Sequence, residues 1–399
     1  DKEPTQYVKC DTRSVHVDND RIMFSKHTVS KYMKKVVFLD RTIQKKFDSG
    51  AFLTGKDFNC TCRHTKYTCT GYDVVIKNTI TVGTYYLDMC LKNKIFSLFM
   101  RLFANVVLAD KKLMDNVIEW MEREFWPEFD RRYEDYVPTK FNEEYYKTRD
   151  KKKREFYAKN RDWNYYYALF TAMTKSGEAQ YGSEEYVAKY LKPRNICVPN
   201  PTCMGWMLNL NFQALNALCF CQPQFIHAMS SKDMGRYWTQ DLYHLDTGVT
   251  LGFDSSGHDA HQGPQLFRID DAFWKRYLKK LAVYAEIPED KLQIIEENIY
   301  KHKSTIQSKE GMLDPIDIKI KAHGTVNSGQ SLETTFGNSL RLIVLNGYIL
   351  SKLGYKWNDA RLDTDQNGYN LRYRHTTENQ VYVYVTGDDT QYKVINDQI

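Results

Sequence analysis

Two acidic stretches, far apart in the chain, have the residues to hold a cation. Near the C-terminal end Gly387-Asp388-Asp389 follows Val381-Tyr382-Val383-Tyr384-Val385, an alternation of β-branched and aromatic residues that predicts a strand. Extended patterning resumes over Gln391 to Ile395, so the glycine and both aspartates fall at a hairpin tip. Adjacent carboxylates at a tip repel each other unless positive charge is close, which makes a divalent metal a natural tenant. Upstream, the short run from Val249 to Phe253 ends in Asp254, and Asp259 follows five positions on. A third cluster, Cys60-x-Cys62-x-His64 with Cys69 beyond it, sets three ligating side chains on one face of an extended segment. Its spacing is not a standard zinc signature, so it reads either as a zinc site or as ordinary reduced cysteines.

These groups need elements to position them. Between the acidic stretches, Gly324 to Asn338 reads as a Ser328-Gly329 turn entering an amphipathic helix, which continues through Leu340 to Leu353 and stops at Gly354. Thr334 and Asn338 lie four apart, on one face of that helix. Phe267 to Ala285 predicts another amphipathic helix, with Phe273, Trp274, Tyr277 and Leu281 on one side. Met204 to Phe225 is apolar with scattered Asn and reads as a buried helix of a fingers region. Tyr85 to Phe129 predicts two amphipathic helices around Ala109-Asp110, and Val74 to Val82 a strand or hairpin. Tyr355 to Gln380 is polar and reads as a loop. The charge-dense stretch from Tyr145 to Tyr167 carries Lys151 to Arg154 ahead of Trp163, Tyr165, Tyr166 and Tyr167, which suits an RNA path and a solvated helical face equally.

Taken in order, the stretches around Asp254, Ser328 and Asp388 resemble palm motifs A, B and C of viral RNA-dependent RNA polymerases, particularly those of positive-strand RNA viruses. Asp254 and Asp259 match the two aspartates of motif A. Ser328, Gly329, Thr334 and Asn338 resemble the Ser-Gly and Thr-x-x-x-Asn of motif B, and Gly387, Asp388 and Asp389 match motif C. Lys192-Pro193-Arg194-Asn195-Ile196, with Lys189 just before it, resembles motif F. Tombusvirus-like, astrovirus-like and double-stranded RNA virus patterns each match in part. Motif B carries one extra residue: counting from Ser328-Gly329 places Glu333 where the threonine falls, whereas counting from Asn338 selects Thr334.

The resemblance implies an α+β, right-hand polymerase fold with fingers and an RRM-like antiparallel palm sheet. It divides the chain into an N-terminal extension and fingertips region (1–165), fingers with motif F (166–248) and a palm (249–399) interrupted by a fingers insertion at about 286–322. No room is left for motif D, motif E or a thumb, so the thumb is expected downstream in a longer protein or on a second chain. The implied activity is template-directed RNA synthesis, by nucleotidyl transfer from a nucleoside triphosphate to an RNA 3′-hydroxyl. Asp254, Asp388 and Asp389 would then hold Mg2+, or Mn2+ in its place, for a two-metal displacement. Asp259 and Asn338 would read the ribose 2′-hydroxyl, with Thr334 beside Asn338. Ser328 and Gly329 would form the loop at the nascent base pair, and Lys189, Lys192 and Arg194 would neutralise the triphosphate.

Composition sets outer bounds. With 399 residues the chain can bury a substantial core in one large domain or in two to three subdomains. A net charge of +6 is modest, so any RNA surface must come from charge placed locally. The 29 tyrosines suit base stacking along a channel and equally a large core with a polar rim. Nine cysteines, an odd count without a regular framework, favour a reducing compartment. Opening on Asp1, the chain reads as a cleavage product or an excerpt. The most apolar run, Ile95 to Ala109, is broken by Arg101 and too short to span a bilayer. The expected partners are RNA template, nascent RNA, nucleoside triphosphates and other viral replication proteins, within a replication complex in the host cytoplasm. Two rivals are a reverse transcriptase, which would carry a bulky residue at the position of Asp259, and a non-catalytic RNA-binding protein that keeps the palm shape. The clustered acidic set argues against the second.

Overall fold

The computed structural model describes residues 23–58, 109–138, 204–227, 248–306, 318–363, 372–376 and 380–395, apart from single positions, together with shorter stretches elsewhere. It is a mixture of helices and small, mainly antiparallel sheets, and its contacts divide it into two compact units, each assembled from several stretches of chain. The first takes 1–106, 169–198 and 301–329, and the second 107–168, 199–300 and 330–399.

The first unit is built on a five-stranded sheet in the order Asn195–Pro199, Leu169–Thr174, Lys301–Ile306, Ile318–His323, Met33–Phe38. Ile318, Ile320 and Ala322 alternate with exposed Lys319, Lys321 and His323, so the lysine-rich strand still has one apolar face. That face joins a core of Phe24, Phe38, Phe47, Phe58, Phe96 and Phe99, in which Phe24 and Phe99 stack at 4.2 Å.

Among the described residues, the second unit has five helices of nine residues or more and a three-stranded sheet, whose strand Val249–Asp254 is exposed along its length. The helices are α1 (Lys111–Trp120), α2 (Trp126–Glu134), α3 (Met204–Cys221), α4 (Pro264–Tyr284) and α5 (Gly337–Lys352). The strands are β1 (Val249–Asp254), β2 (Val381–Thr386) and β3 (Asp389–Val394), with β3 in the middle and both pairings antiparallel. Apolar residues at helical spacing explain α4: Phe267, Phe273, Trp274, Tyr277, Leu278 and Leu281 are buried, and Pro264 in the first turn needs no N–H partner. α3 is apolar almost all round, as a helix enclosed on every side must be. Between α1 and α2 the helix passes through a π-helical turn, Met121–Phe125. The aromatic core here includes Trp126, Phe129, Phe273, Tyr277 and Phe336, with Phe273 and Phe336 at 4.7 Å.

The polar stretch after α5 differs from the loop expected of it. Ala360–Asp363 pairs antiparallel with Arg372–His375, and Tyr373, Arg374 and His375 are buried. Several of its polar groups find partners inside: Arg374 Nε lies 3.3 Å from Asp363 in an ion pair, and the Tyr373 hydroxyl donates to Asp135 at 2.9 Å. Arg132, fully buried, donates to the carbonyls of Cys221 and Asn358 and sits 4.7 Å over the Tyr373 ring. Polarity satisfied in this way costs little on burial.

His375 gives the fold an acid sensitivity. Burial pushes its pKa down to about 4, against the opposing pull of the Val383 and Asp359 backbone, so the native ring stays neutral. A group depressed in the native state holds stability above its unfolded pKa of 6.5 and loses it as pH falls toward 4. Wild type should therefore lose on the order of 3 kcal/mol between pH 7 and 4 relative to His375→Asn, the two-and-a-half-unit difference being worth about 1.4 kcal/mol per unit. Urea titrations of both proteins across that range measure the difference; parallel curves would rule the mechanism out.

Candidate functional site

β2 and β3 form the hairpin that carries the acidic tip. Thr386 faces Asp389 in register, leaving Gly387 and Asp388 as a two-residue loop. Gly387 has φ of 63° and no atom within 4 Å of where a Cβ would stand, so backbone conformation rather than space calls for glycine. β1 runs antiparallel on the other side of β3, with Asp254 directly across from Asp389. Cross-strand partners project from the same face of a sheet, so these two carboxylates leave it side by side, with Asp388 adjacent at the turn. The pKa of Asp389 is raised, first by partial desolvation and then by the charges of Asp388 and Asp254. Three carboxylates thus share one electrostatic neighbourhood, where a cation would relieve their repulsion. An open cleft of about 310 Å³ borders them, lined among others by Asp254, Asp389, Phe253, Tyr384, Thr386 and Gln391.

Among the described residues, no three His, Cys, Asp or Glu side chains are grouped so as to hold a metal ion. The donor set still suits a hard divalent ion: magnesium keeps several waters, takes one or two carboxylates and completes its shell from substrate phosphates, whereas zinc takes a closed N/S cage. Cys60, Cys62 and His64 of the candidate zinc cluster lie outside the described residues, and Cys69 falls on the strand Lys66–Cys69.

Behind the hairpin lies the start of α5. The chain enters it through a π-helical turn, Leu332–Phe336, which holds one residue more than an α-turn would and so absorbs the extra residue noted between Ser328-Gly329 and Asn338. Glu333, where one count places the threonine, is buried and accepts from the backbone N–H of Tyr300 at 2.8 Å. Thr334 is half-buried, and its hydroxyl donates to the Gln330 carbonyl at 2.9 Å. Asn338 is buried; its Oδ1 accepts from Arg341 at 2.6 Å.

Ser339, the next residue, has its hydroxyl inside the unit, where it donates to the Thr335 carbonyl at 2.6 Å and accepts from the Gly387 N–H at 2.9 Å. The helix thereby anchors the hairpin tip. Nothing in the sequence pattern marks Ser339, since a serine in a buried helix face acquires meaning only from what packs against it.

Asp259 is buried on the short helix His258–His261, which follows Gly257 in the left-handed conformation. Beside it, burial pushes His258 down to about 4; the Arg341 charge adds to the fall, while Asp388 and a hydrogen bond to Asn338 oppose it. His258 Nε2 has no hydrogen-bond partner among the described residues. Under α5, Asp270 and Arg341 are ion-paired at 2.8 Å. Burial pushes Asp270 up to about 6 against the pull of Arg341, so it remains ionised at neutral pH. Burial works against the Arg341 charge too, yet Asp270 and Tyr300 outweigh it and hold its pKa above the usual value.

Asp254, Asp259, Thr334, Asn338, Asp388 and Asp389 therefore fall in the second unit. Ser328, Gly329 and Arg194 fall in the first, where the Cys197 N–H donates to Ser328 Oγ at 3.3 Å and the Arg194 carbonyl accepts from the Lys175 N–H at 2.8 Å. Arg194 is exposed, and the Ser328 loop is thus tied to the strand that begins just after it. Lys189 and Lys192 lie outside the described residues, as does most of the basic and aromatic stretch from Tyr145 to Tyr167. No described helix is long and apolar enough to cross a membrane. No protein-family model matches the chain. No curated protein matches it either.

Proposed function

We propose that this chain carries the fingers and palm of a viral RNA-dependent RNA polymerase, transferring nucleotides from ribonucleoside triphosphates to the 3′-hydroxyl of a growing RNA. One observation carries the reading: Asp254 and Asp389, 135 residues apart (389 − 254), face each other across adjacent strands beside Asp388. Holding three like charges together is unfavourable without a use for them, and in-line displacement at phosphorus is such a use. Asp254 and Asp388 are the principal ligands for Mg2+, or Mn2+ in its place, with Asp389 in support. When bound, the metal would lower the pKa of the attacking hydroxyl and neutralise the leaving pyrophosphate.

The chain's own residues do the rest. Ser339 holds the Gly387 tip, and with it Asp388, at a fixed height above α5. Asp259 and Asn338, both buried, are the polar pair that would read the sugar, and the resemblance to motif F assigns Lys189, Lys192 and Arg194 the neutralisation of the triphosphate. Template, nascent RNA and other viral replication proteins are the partners this activity entails, in a replication complex of the host cytoplasm.

The deciding experiment gives the full-length protein a primed RNA template, the four ribonucleotides and Mg2+. Product should lengthen in template order and stop on addition of EDTA. A folded protein that binds RNA but makes no product with Mg2+ or Mn2+ would instead support the non-catalytic reading.

A further inference from the structure

We infer that Arg341 is a positioning residue for sugar choice, locking the Asn338 amide in the one orientation that leaves its NH2 group for the substrate. The inference rests on the polymerase reading of this site. Arg341 follows Asn338 by about one turn of α5, and its Nη2 donates to Asn338 Oδ1 at 2.6 Å and to the Glu333 carbonyl at 2.9 Å. Its Nη1 reaches both oxygens of Asp270, at 2.9 and 2.8 Å. The Tyr300 hydroxyl donates to the same carboxylate at 2.5 Å, and its ring stacks on Phe267 at 3.7 Å. Arg341 and Asp270 are 1% and 0% exposed, so this cluster is part of the rigid interior rather than a mobile surface pair.

A guanidinium has donors and no acceptor, so the amide atom that faces it must be the oxygen. Asn338 Oδ1 is therefore committed to the core, which makes Nδ2 the end that a ligand would meet, next to the His258 ring that also bonds to this amide. Nδ2 can only donate. A 2′-hydroxyl oxygen can accept from it, whereas a 2′-deoxyribose offers nothing and leaves the buried N–H unpaired. Asp259, a buried carboxylate, can only accept when ionised. Together an obligate donor and an obligate acceptor select a group that is both, which a hydroxyl is and a hydrogen is not. Without Arg341 the amide could rotate to present either end, and half of that complementarity would go.

Arg341→Lys tests this, because lysine keeps the charge opposite Asp270 but lacks the planar fork needed to reach Asn338 as well. The readout is the ratio of kcat/KM for a ribonucleoside triphosphate to that for its 2′-deoxy analogue, with thermal melting to check the fold. The preference for ribose should fall about tenfold, the size expected when one polar contact to the discriminating group is lost. Should Arg341→Lys fail to fold, the neutral pair Asp270→Asn with Arg341→Gln removes both charges of this ion pair together and should show the same fall. A folded, active variant with wild-type preference overturns the inference, and so does an equal decline with both sugars, which is what mere loosening of the core would give. Wild type that folds yet neither binds nor incorporates ribonucleotides brings down the polymerase reading first, and this inference with it.

Discussion

Asp388→Ala should reduce nucleotide incorporation by about a thousandfold or more while leaving RNA affinity nearly unchanged. Removing a principal metal ligand forfeits several kcal/mol of transition-state charge stabilisation, and each 1.4 kcal/mol or so is a factor of ten in rate. The fold gives an independent check that the loss is chemical. Asp388 is one of the charges that raise the pKa of Asp389, so its carboxylate strains the hairpin tip when no cation is bound. The turn itself depends on Gly387 and on the hydrogen bond from its N–H to Ser339, neither of which the substitution touches. The metal-free variant should therefore melt no lower than wild type, and relief of repulsion favours a slightly higher midpoint. Primer extension, filter binding to RNA and a thermal scan in EDTA measure the three quantities. Synthesis at near wild-type rate would remove Asp388 from the ligand set, and a markedly lower melting point would show that its role is in the fold.

What the sequence disclosed of this arrangement follows from how local each signal is. The alternation of Val381 to Val385 and the Gly387-Asp388 turn are properties of neighbouring residues, and the strand Val381–Thr386 forms as expected, while the second strand begins at Asp389, two residues before the expected Gln391, and takes Asp389 out of the turn. The apolar spacing of Phe267 to Leu281 likewise gives the helix Pro264–Tyr284. The motif B offset could be counted in the sequence but not explained, because helical periodicity assumes a uniform turn and the π-helical turn Leu332–Phe336 departs from it. Residues 355–380 looked like a loop because polarity was read as exposure. Arg374 and Tyr373 are buried there against Asp363 of the same stretch and against Asp135 and Arg132, two partners that no local window contains. Ser339 and Arg341 escaped for the same reason. Each is a polar residue within an apolar helix, and its purpose lies in Gly387 or in Asp270, 48 (387 − 339) and 71 residues away.

Gly337→Ala should destabilise the protein by about 2–4 kcal/mol, although alanine is the better helix former by about 1 kcal/mol in an open position. Gly337 opens α5 immediately before Asn338, and a methyl group there would stand 2.8 Å from Asp270 Oδ1, 3.0 Å from Arg341 Nη1 and 3.1 Å from the Leu332 carbonyl. None of these atoms is the loose end of a flexible side chain. Asp270 is held by Arg341 and Tyr300, Arg341 by Asp270, Asn338 and Glu333, and Leu332 belongs to the backbone of the π-helical turn. Forcing an extra carbon into a filled interior costs about 1–3 kcal/mol, and a displaced buried ion pair leaves charges short of partners at roughly 3–5 kcal/mol. Even with partial relaxation, these terms exceed the gain in helix propensity. The midpoint should fall by several degrees, roughly 5–10 °C if the unit that contains α5 unfolds cooperatively. Gly252→Ala in β1, where a Cβ meets nothing within 4 Å, is the matched control and should shift stability by no more than about 1 kcal/mol. Because Asn338 is the next residue along, Gly337→Ala should also weaken ribose preference at temperatures where the protein remains folded. A variant that melts with wild type would mean that the Asp270 and Arg341 cluster yields readily, and the rigidity attributed to Asn338 would go with it.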